Sequence, residues 1–221
     1  MAIRQVDFAR SLANGRVGES LIANWFKRRG YSILPVYEKE LGEGKGPQLF
    51  TAEGGLIAPD MLCFKGEKVM WIEAKHKSVF SWHRRTQRWV TGIDIRHYED
   101  YQRVEAQSPW PVWLLFLHRE GYTAEPPHNC PVGLFGGDLP YLVKHENHRH
   151  GNWGSGGMVY WARETLKKIA RLTEMVGDGT APLVALHEAI NIETEARVTS
   201  VTASPESQER IVARQLRLMD L

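Results

Sequence analysis

The chain has 221 residues, 43% of them hydrophobic, and a formal net charge of +2, which suits one domain with an addition and a core of useful size. No apolar stretch approaches membrane-span length and the N-terminus lacks a signal-peptide apolar region, so a soluble, cytoplasmic protein with no membrane partner is expected. Two cysteines, Cys63 and Cys130, exclude a disulfide framework, and the near-neutral charge does not by itself announce a polyanionic partner.

In chain order, Phe8 to Arg29 reads as a helix. Val17, Leu21, Ile22, Trp25 and Phe26 recur at helical spacing. Gly30 stops the helix, and Lys27, Arg28 and Arg29 suit the negative end of its dipole. Glu19 lies near its first part, beside the small Gly15 and Gly18. Tyr31 to Val36 is a predicted strand. Glu38 to Gly55, rich in Gly, Glu and Lys with Pro47, reads as a long loop. Ala58 to Phe64 and Val69 to Lys75 are apolar runs joined by Lys65-Gly66-Glu67-Lys68, a hairpin signature.

Thr91 to Gln107 reads as a loop and then a helix, with Asp94 as N-cap and Tyr98, Tyr101 and Val104 on one face. Pro111 to Leu117 is a short apolar run between breakers, hence a buried strand. Gly121 to Gly157 is polar and broken by Pro and Gly, so it is expected to be irregular. Met158 to Trp161 reads as a last strand, and Arg163 to Met175 as a closing helix with Leu166, Ile169, Ala170 and Leu172 inward. After Gly177 the chain is rich in Thr, Ser and Glu. It ends in a predicted helix that starts at Ser204-Pro205-Glu206 and carries Ile211, Leu216 and Leu218. The expected division is residues 1–176 as a domain and 177–221 as a linker and a helical extension, suited to self-association or a partner.

The hairpin carries the chemistry. Each run has an acid at one end, Asp60 and Glu73, and antiparallel pairing brings those two ends together. Two carboxylates there form a hard oxygen site suited to Mg²⁺ or Mn²⁺. Lys75, two residues after Glu73, points to the same face. The bland alternative is an ordinary hairpin whose charged ends are solvated.

Pro59-Asp60 and Glu73-Ala74-Lys75, preceded by a helix with Glu19, resemble the active-site hairpin of the PD-(D/E)XK nuclease superfamily over roughly residues 10 to 120. The resemblance implies an α/β three-layer sandwich: a central mixed β-sheet flanked by helices, with a restriction-endonuclease-like core. It implies Glu19, Asp60, Glu73 and Lys75 as catalytic residues, and Asp60, Glu73, Glu19 and the main-chain oxygen of Ala74 as ligands of Mg²⁺ or Mn²⁺. It implies metal-dependent cleavage of DNA to 5′-phosphate and 3′-hydroxyl ends. The size is similar to that of small phage-type or Holliday-junction-resolvase-like nucleases, and a homodimer would suit paired cuts. Residues on the helix after the Glu-x-Lys strand often touch DNA in this superfamily, which points to His97, Tyr98, Tyr101 and Gln102.

From His76 to Val90 the basic residues Lys77, Arg84, Arg85 and Arg88 occur with no acid between them, and Phe80, Trp82 and Trp89 are interleaved. Cations neutralise phosphates and aromatic faces stack on bases, so Lys77, Trp82, Arg84, Arg85 and Arg88 join Tyr98 and Gln102 as candidate nucleic-acid contacts. Two other classes of function stay open: a non-catalytic nucleic-acid-binding module on the same fold, and an interaction protein acting through the C-terminal helix. His128, Cys130, His145, His148 and His150 include zinc-ligating types, but their spacing fits no compact zinc pattern.

Overall fold

The computed structural model of the chain describes residues 17–36, 47–52, 54–151 and 156–176. All of these but Val176 belong to the first of two units, Met1–Met175. The expected start of the first helix at Phe8, residues 38–46 and 53 of the expected loop, and the linker and helix after Gly177 lie outside the described residues.

Helix α1 covers 17–28 and buries Leu21, Ile22, Trp25 and Phe26, the apolar spacing read from the sequence. Val17 instead stands exposed. Gly30 adopts φ 78°, and the amides of Gly30 and Tyr31 donate to the carbonyls of Lys27 and Phe26. The left-handed residue thus satisfies carbonyls that the helix end leaves open.

Strand β1 (Ser32–Pro35) pairs antiparallel with β4 (Met61–Lys65), and β4 with β5 (Lys68–Lys77). The β4–β5 turn is the expected one. Lys65 pairs with Lys68 around Gly66, whose φ of 58° is the positive value that two-residue hairpin loops require. The segment before it departs from expectation, because Gln48–Thr51 (β2) and Gly54–Ile57 (β3) form a small hairpin of their own.

Strand β5 runs parallel to β8 (Val112–His118), which pairs antiparallel with β9 (Gly133–Asp138), and β9 with β12 (Lys167–Ala170). The result is a six-stranded mixed sheet in the order β1-β4-β5-β8-β9-β12. Its strands alternate between two buried faces. Ile72, Ala74, Leu115 and Leu117 take one. Packing of α1 on that side is close enough that a Cβ on Gly18 would meet His76 Cβ at 2.3 Å. Trp71, Leu114 and Phe116 take the other, in a core shared with Tyr98, Tyr101 and Val104 of α2 (Ile95–Gln107). Asp94 caps α2, accepting a hydrogen bond from the Arg96 amide at 2.9 Å. The fold is therefore α/β, a central mixed sheet flanked by helices.

A second sheet was not foreseen. β6 (Ser81–His83), β7 (Arg88–Asp94), β10 (His148–His150) and β11 (Met158–Ala162) form it in the order β10-β11-β7-β6. Met158 to Trp161 is thus a strand, but of this sheet, and it is not the last. The stretch expected to be irregular holds β9, β10 and the short helix α3 (Leu139–Lys144). Its glycines serve close packing: a Cβ on Gly136 would meet the Leu114 carbonyl oxygen at 2.4 Å. The expected closing helix from Arg163 is instead a 3-10 turn at Arg163–Thr165, then β12, then α4 (Leu172–Val176). No helix among the described residues is long and apolar enough to cross a membrane.

Candidate active site

The β4–β5 register pairs Met61 with Ile72. One step further along it sets Asp60 across from Glu73, at the end of the hairpin away from the turn. β4 starts after Asp60, so β5 continues past it on that flank. The Trp71 amide donates to Pro111 O at 2.9 Å, toward β8, so the even-numbered residues of β5 turn their main-chain groups toward the β4 side. Ala74 is one of them. Its amide has no strand partner there and donates instead to Asp60 Oδ2 at 2.7 Å. A strand residue sends its N–H and C=O to the same side, so the Ala74 carbonyl is directed to the Asp60 flank as well.

Glu73 is 1% exposed, and Lys75 Nζ forms an ion pair with its Oε1. Tyr101 and Asp60 also approach Glu73 within hydrogen-bonding reach, so its carboxylate is the buried centre of this cluster. Asp60 and Glu73 face each other closely enough to disturb titration. Burial, and then the neighbouring Glu73 charge, push the Asp60 carboxyl up to about 7. Burial opposes the Lys75 ammonium, but Glu73 and Asp60 outweigh it and hold its pKa above the ordinary lysine value. Glu19, half-buried on α1, adds a smaller pull on Lys75.

Helix α2 closes the other side. Tyr101 is 1% exposed; burial and the charges of Glu73 and Asp60 raise its hydroxyl pKa well above the ordinary value. His97 is half-buried, and burial followed by the Lys75 charge lowers its pKa. One turn apart on α2, these two residues meet the site. The two α2 residues expected to touch nucleic acid, Tyr98 and Gln102, are placed differently. Tyr98 is fully buried, donates its hydroxyl to Glu146 Oε1 at 2.7 Å and sets its ring against Trp161. It is a core residue, and nucleic acid cannot reach it. Gln102 is half-buried and donates to Tyr98 O at 3.3 Å. The apolar periodicity that grouped Tyr98 with Tyr101 marks the buried face of α2, and only Tyr101 on that face lies at the carboxylates.

Lys77 follows Lys75 on the same face of β5. Burial and the nearby Lys75 charge lower its pKa to about 8, and no carboxylate pairs with it among the described residues. Trp82 and Trp89 sit opposite each other on β6 and β7, with ring centroids 5.1 Å apart. Arg84, Arg85 and Arg88 are exposed at the tip of that hairpin, and Arg84 is held by Glu125 at 2.9 Å.

The histidines do not gather into a metal centre. His145 contacts Tyr141 O at 2.8 Å, His128 stacks on Tyr122, and Cys130 donates to Glu120 O at 3.0 Å. Among the described residues no group of three or more His, Cys, Asp or Glu side chains is assembled for a metal. The donors at the hairpin are instead two carboxylates and a main-chain carbonyl, the sparse oxygen set that suits a cation which keeps waters and takes phosphate oxygens.

No family model matches the chain, and no curated protein matches it. Among solved structures, the Holliday junction resolvase Hjc of Archaeoglobus fulgidus is similar with a TM-score of 0.41 and 9% identity, over 68% of this chain and 90% of that chain. A likeness at that level carries no weight for the chemistry, which rests on the residues of this chain.

Proposed function

We propose that this protein is a metal-dependent nuclease that hydrolyses phosphodiester bonds in DNA. The observation that carries the reading is the convergence of Asp60, a buried Glu73 and Lys75 at one end of the β4–β5 hairpin. Asp60, Glu73 and the Ala74 carbonyl would hold Mg²⁺ or Mn²⁺, with Glu19 as a further acid. Such a cation, when bound, polarises the phosphate and acidifies water.

The chain's own residues do the rest. Asp60 must lose its proton to serve as a ligand. Lys75 would orient or help deprotonate the attacking water and stabilise negative charge on the phosphate in the transition state. Glu73 fixes the Lys75 ammonium, and Tyr101, which keeps its hydroxyl proton, packs against Glu73 from α2. Lys77, Arg85 and Arg88 supply cations for the flanking phosphates.

On this reading residues 1–176 are the catalytic domain, and 177–221 are a linker and an extension for self-association or a partner. The absence of a visible base-reading element favours cleavage directed by DNA structure or ends. The test is a panel of end-labelled single-stranded, linear duplex, nicked circular and four-way-junction DNA with Mg²⁺, Mn²⁺ or EDTA. Wild type should cut in a metal-dependent way and Asp60→Asn should not. Salt-sensitive binding without cutting under every condition would instead support the non-catalytic module.

A further inference from the structure

A cavity of about 290 Å³ opens between the β6–β7 hairpin and the loop at 123–126. Its walls include Phe80, Trp82 and Trp89, and Arg84, Thr123 and Glu125 line it as well. This is the small end of ligand pockets, which run to roughly 300–1,000 Å³. It has room for one planar ring system, but not for a peptide helix or a lipid chain. The two tryptophans differ in their duties. Trp89 packs against the main hydrophobic core, whereas Trp82 is not part of that packing and stays half-buried, edge-on to Trp89 at 69°. Trp82 is a large aromatic held at a cavity wall with little core to serve.

The surroundings select the ligand. Arg84 is neutralised by Glu125, but no carboxylate lies within ion-pair distance of Arg85 or Arg88 among the described residues. Arg85 and Arg88 do not line the cavity but stand exposed on the same hairpin, so aromatic walls and nearby cations combine as in sites that take a base with its phosphate outside. The cavity is also tied to the active site. Phe80 stacks on His118 with centroids 3.6 Å apart, and His118 pairs with Lys77 across β5 and β8. Lys77 follows Lys75 by two residues, roughly 7 Å along the strand.

We infer that this cavity receives one unpaired nucleobase, within a few nucleotides of the phosphate at Lys75. The substrate is then DNA with single-stranded or unstacked residues next to the cut: a flap, an end, a bulge or a branch. The inference rests on the nuclease reading for its meaning but has its own test. A short oligo-dT strand and a strand of equal length made of abasic residues carry the same phosphates and differ in bases alone. Wild type should bind oligo-dT about 5- to 100-fold more tightly, the range of a single base–aromatic stack. Quenching of tryptophan fluorescence should accompany oligo-dT and not the abasic strand.

Trp82→Ala should abolish the preference for bases while leaving the salt dependence of binding, which reports phosphates, unchanged. Ala124→Trp fills the cavity from an exposed position that lines it, and it should abolish the preference without touching the core. Equal wild-type affinity for the two strands overturns the inference, as does a preference that survives Ala124→Trp. Metal-dependent cutting of DNA is measured on the same preparations. A protein that cuts but ignores bases overturns only the cavity, and one that prefers bases but cuts under no metal condition overturns only the nuclease reading.

Discussion

The two regions of this molecule with charged side chains in functional positions handle them in opposite ways. At the β4–β5 hairpin, Asp60, Glu73 and Lys75 are wholly or partly buried against one another, and the titration of Asp60 and Lys75 is strongly altered. On the β6–β7 hairpin, Arg84, Arg85 and Arg88 project into water. On the proposed nuclease reading the buried charges act at short range, so the loss of one is felt in the chemical step. The exposed group is screened and interchangeable, so each charge contributes modestly to binding. On that reading, position in the fold, more than residue type, separates catalysis from attachment.

That contrast is broken most severely by removing a member of the buried group. Asp60→Asn should lower metal-dependent kcat by at least about 10²–10³, the loss typical of one missing electrostatic element. Cleavage of end-labelled DNA measures this, and because the variant relieves carboxylate crowding it should unfold at a higher temperature than wild type at pH 8.

The pH dependence of stability sharpens the contrast, because two buried groups oppose each other. The pKa of Asp60 is raised from 3.8 to about 7 on folding. The folded state binds more protons across that interval, and the contribution of Asp60 is lost as pH rises through about 7. His118 is fully buried, and burial followed by the Lys77 charge lowers its pKa to about 3. Its contribution is present above pH 6.5 and is lost as pH falls toward 3. Wild-type stability in chelator should therefore vary little between pH 4 and 7. In Asp60→Asn it should rise with pH by an amount on the order of a few kcal/mol. Urea denaturation at each pH reads this directly, and parallel curves for the two proteins would contradict the assignment.

Smaller effects are expected elsewhere. Tyr98→Phe should cost about 1–3 kcal/mol of stability, the worth of a hydrogen bond to the Glu146 carboxylate, with DNA binding unchanged. Chemical denaturation and a binding titration check the two halves of that statement. Arg85→Ala and Arg88→Ala should weaken binding uniformly across sequences. Each should also reduce the slope of log K against log salt by about 0.7–0.9, one phosphate contact apiece.

The hairpin, its register and its acids were legible in the sequence because they are local: a turn of Gly66 between two apolar runs decides which residues face each other. The α2 cap at Asp94 and the core strand β8 were legible for the same reason. The second sheet was not. β7 and β11 are far apart in sequence, and their pairing of Val159 with Ile93 depends on chain folding that no local period reports. The same limit hid β12, where Arg163 to Ala170 has helix-like apolar spacing but gains more from pairing with β9. At the site, spacing placed Glu73 and Lys75 on one face correctly. It could not distinguish Tyr101, which meets Glu73, from Tyr98, which lies three positions away on the same face of α2 and goes to Glu146.

The most direct measurement is single-turnover cleavage of end-labelled branched DNA by wild type and Lys75→Ala, with Mg²⁺ or with EDTA, at equal extents of DNA bound and below the melting temperature of both proteins. The account expects wild type to cut only with the metal, and the variant to bind but not cut. Metal-dependent cutting by Lys75→Ala at the wild-type rate would contradict it.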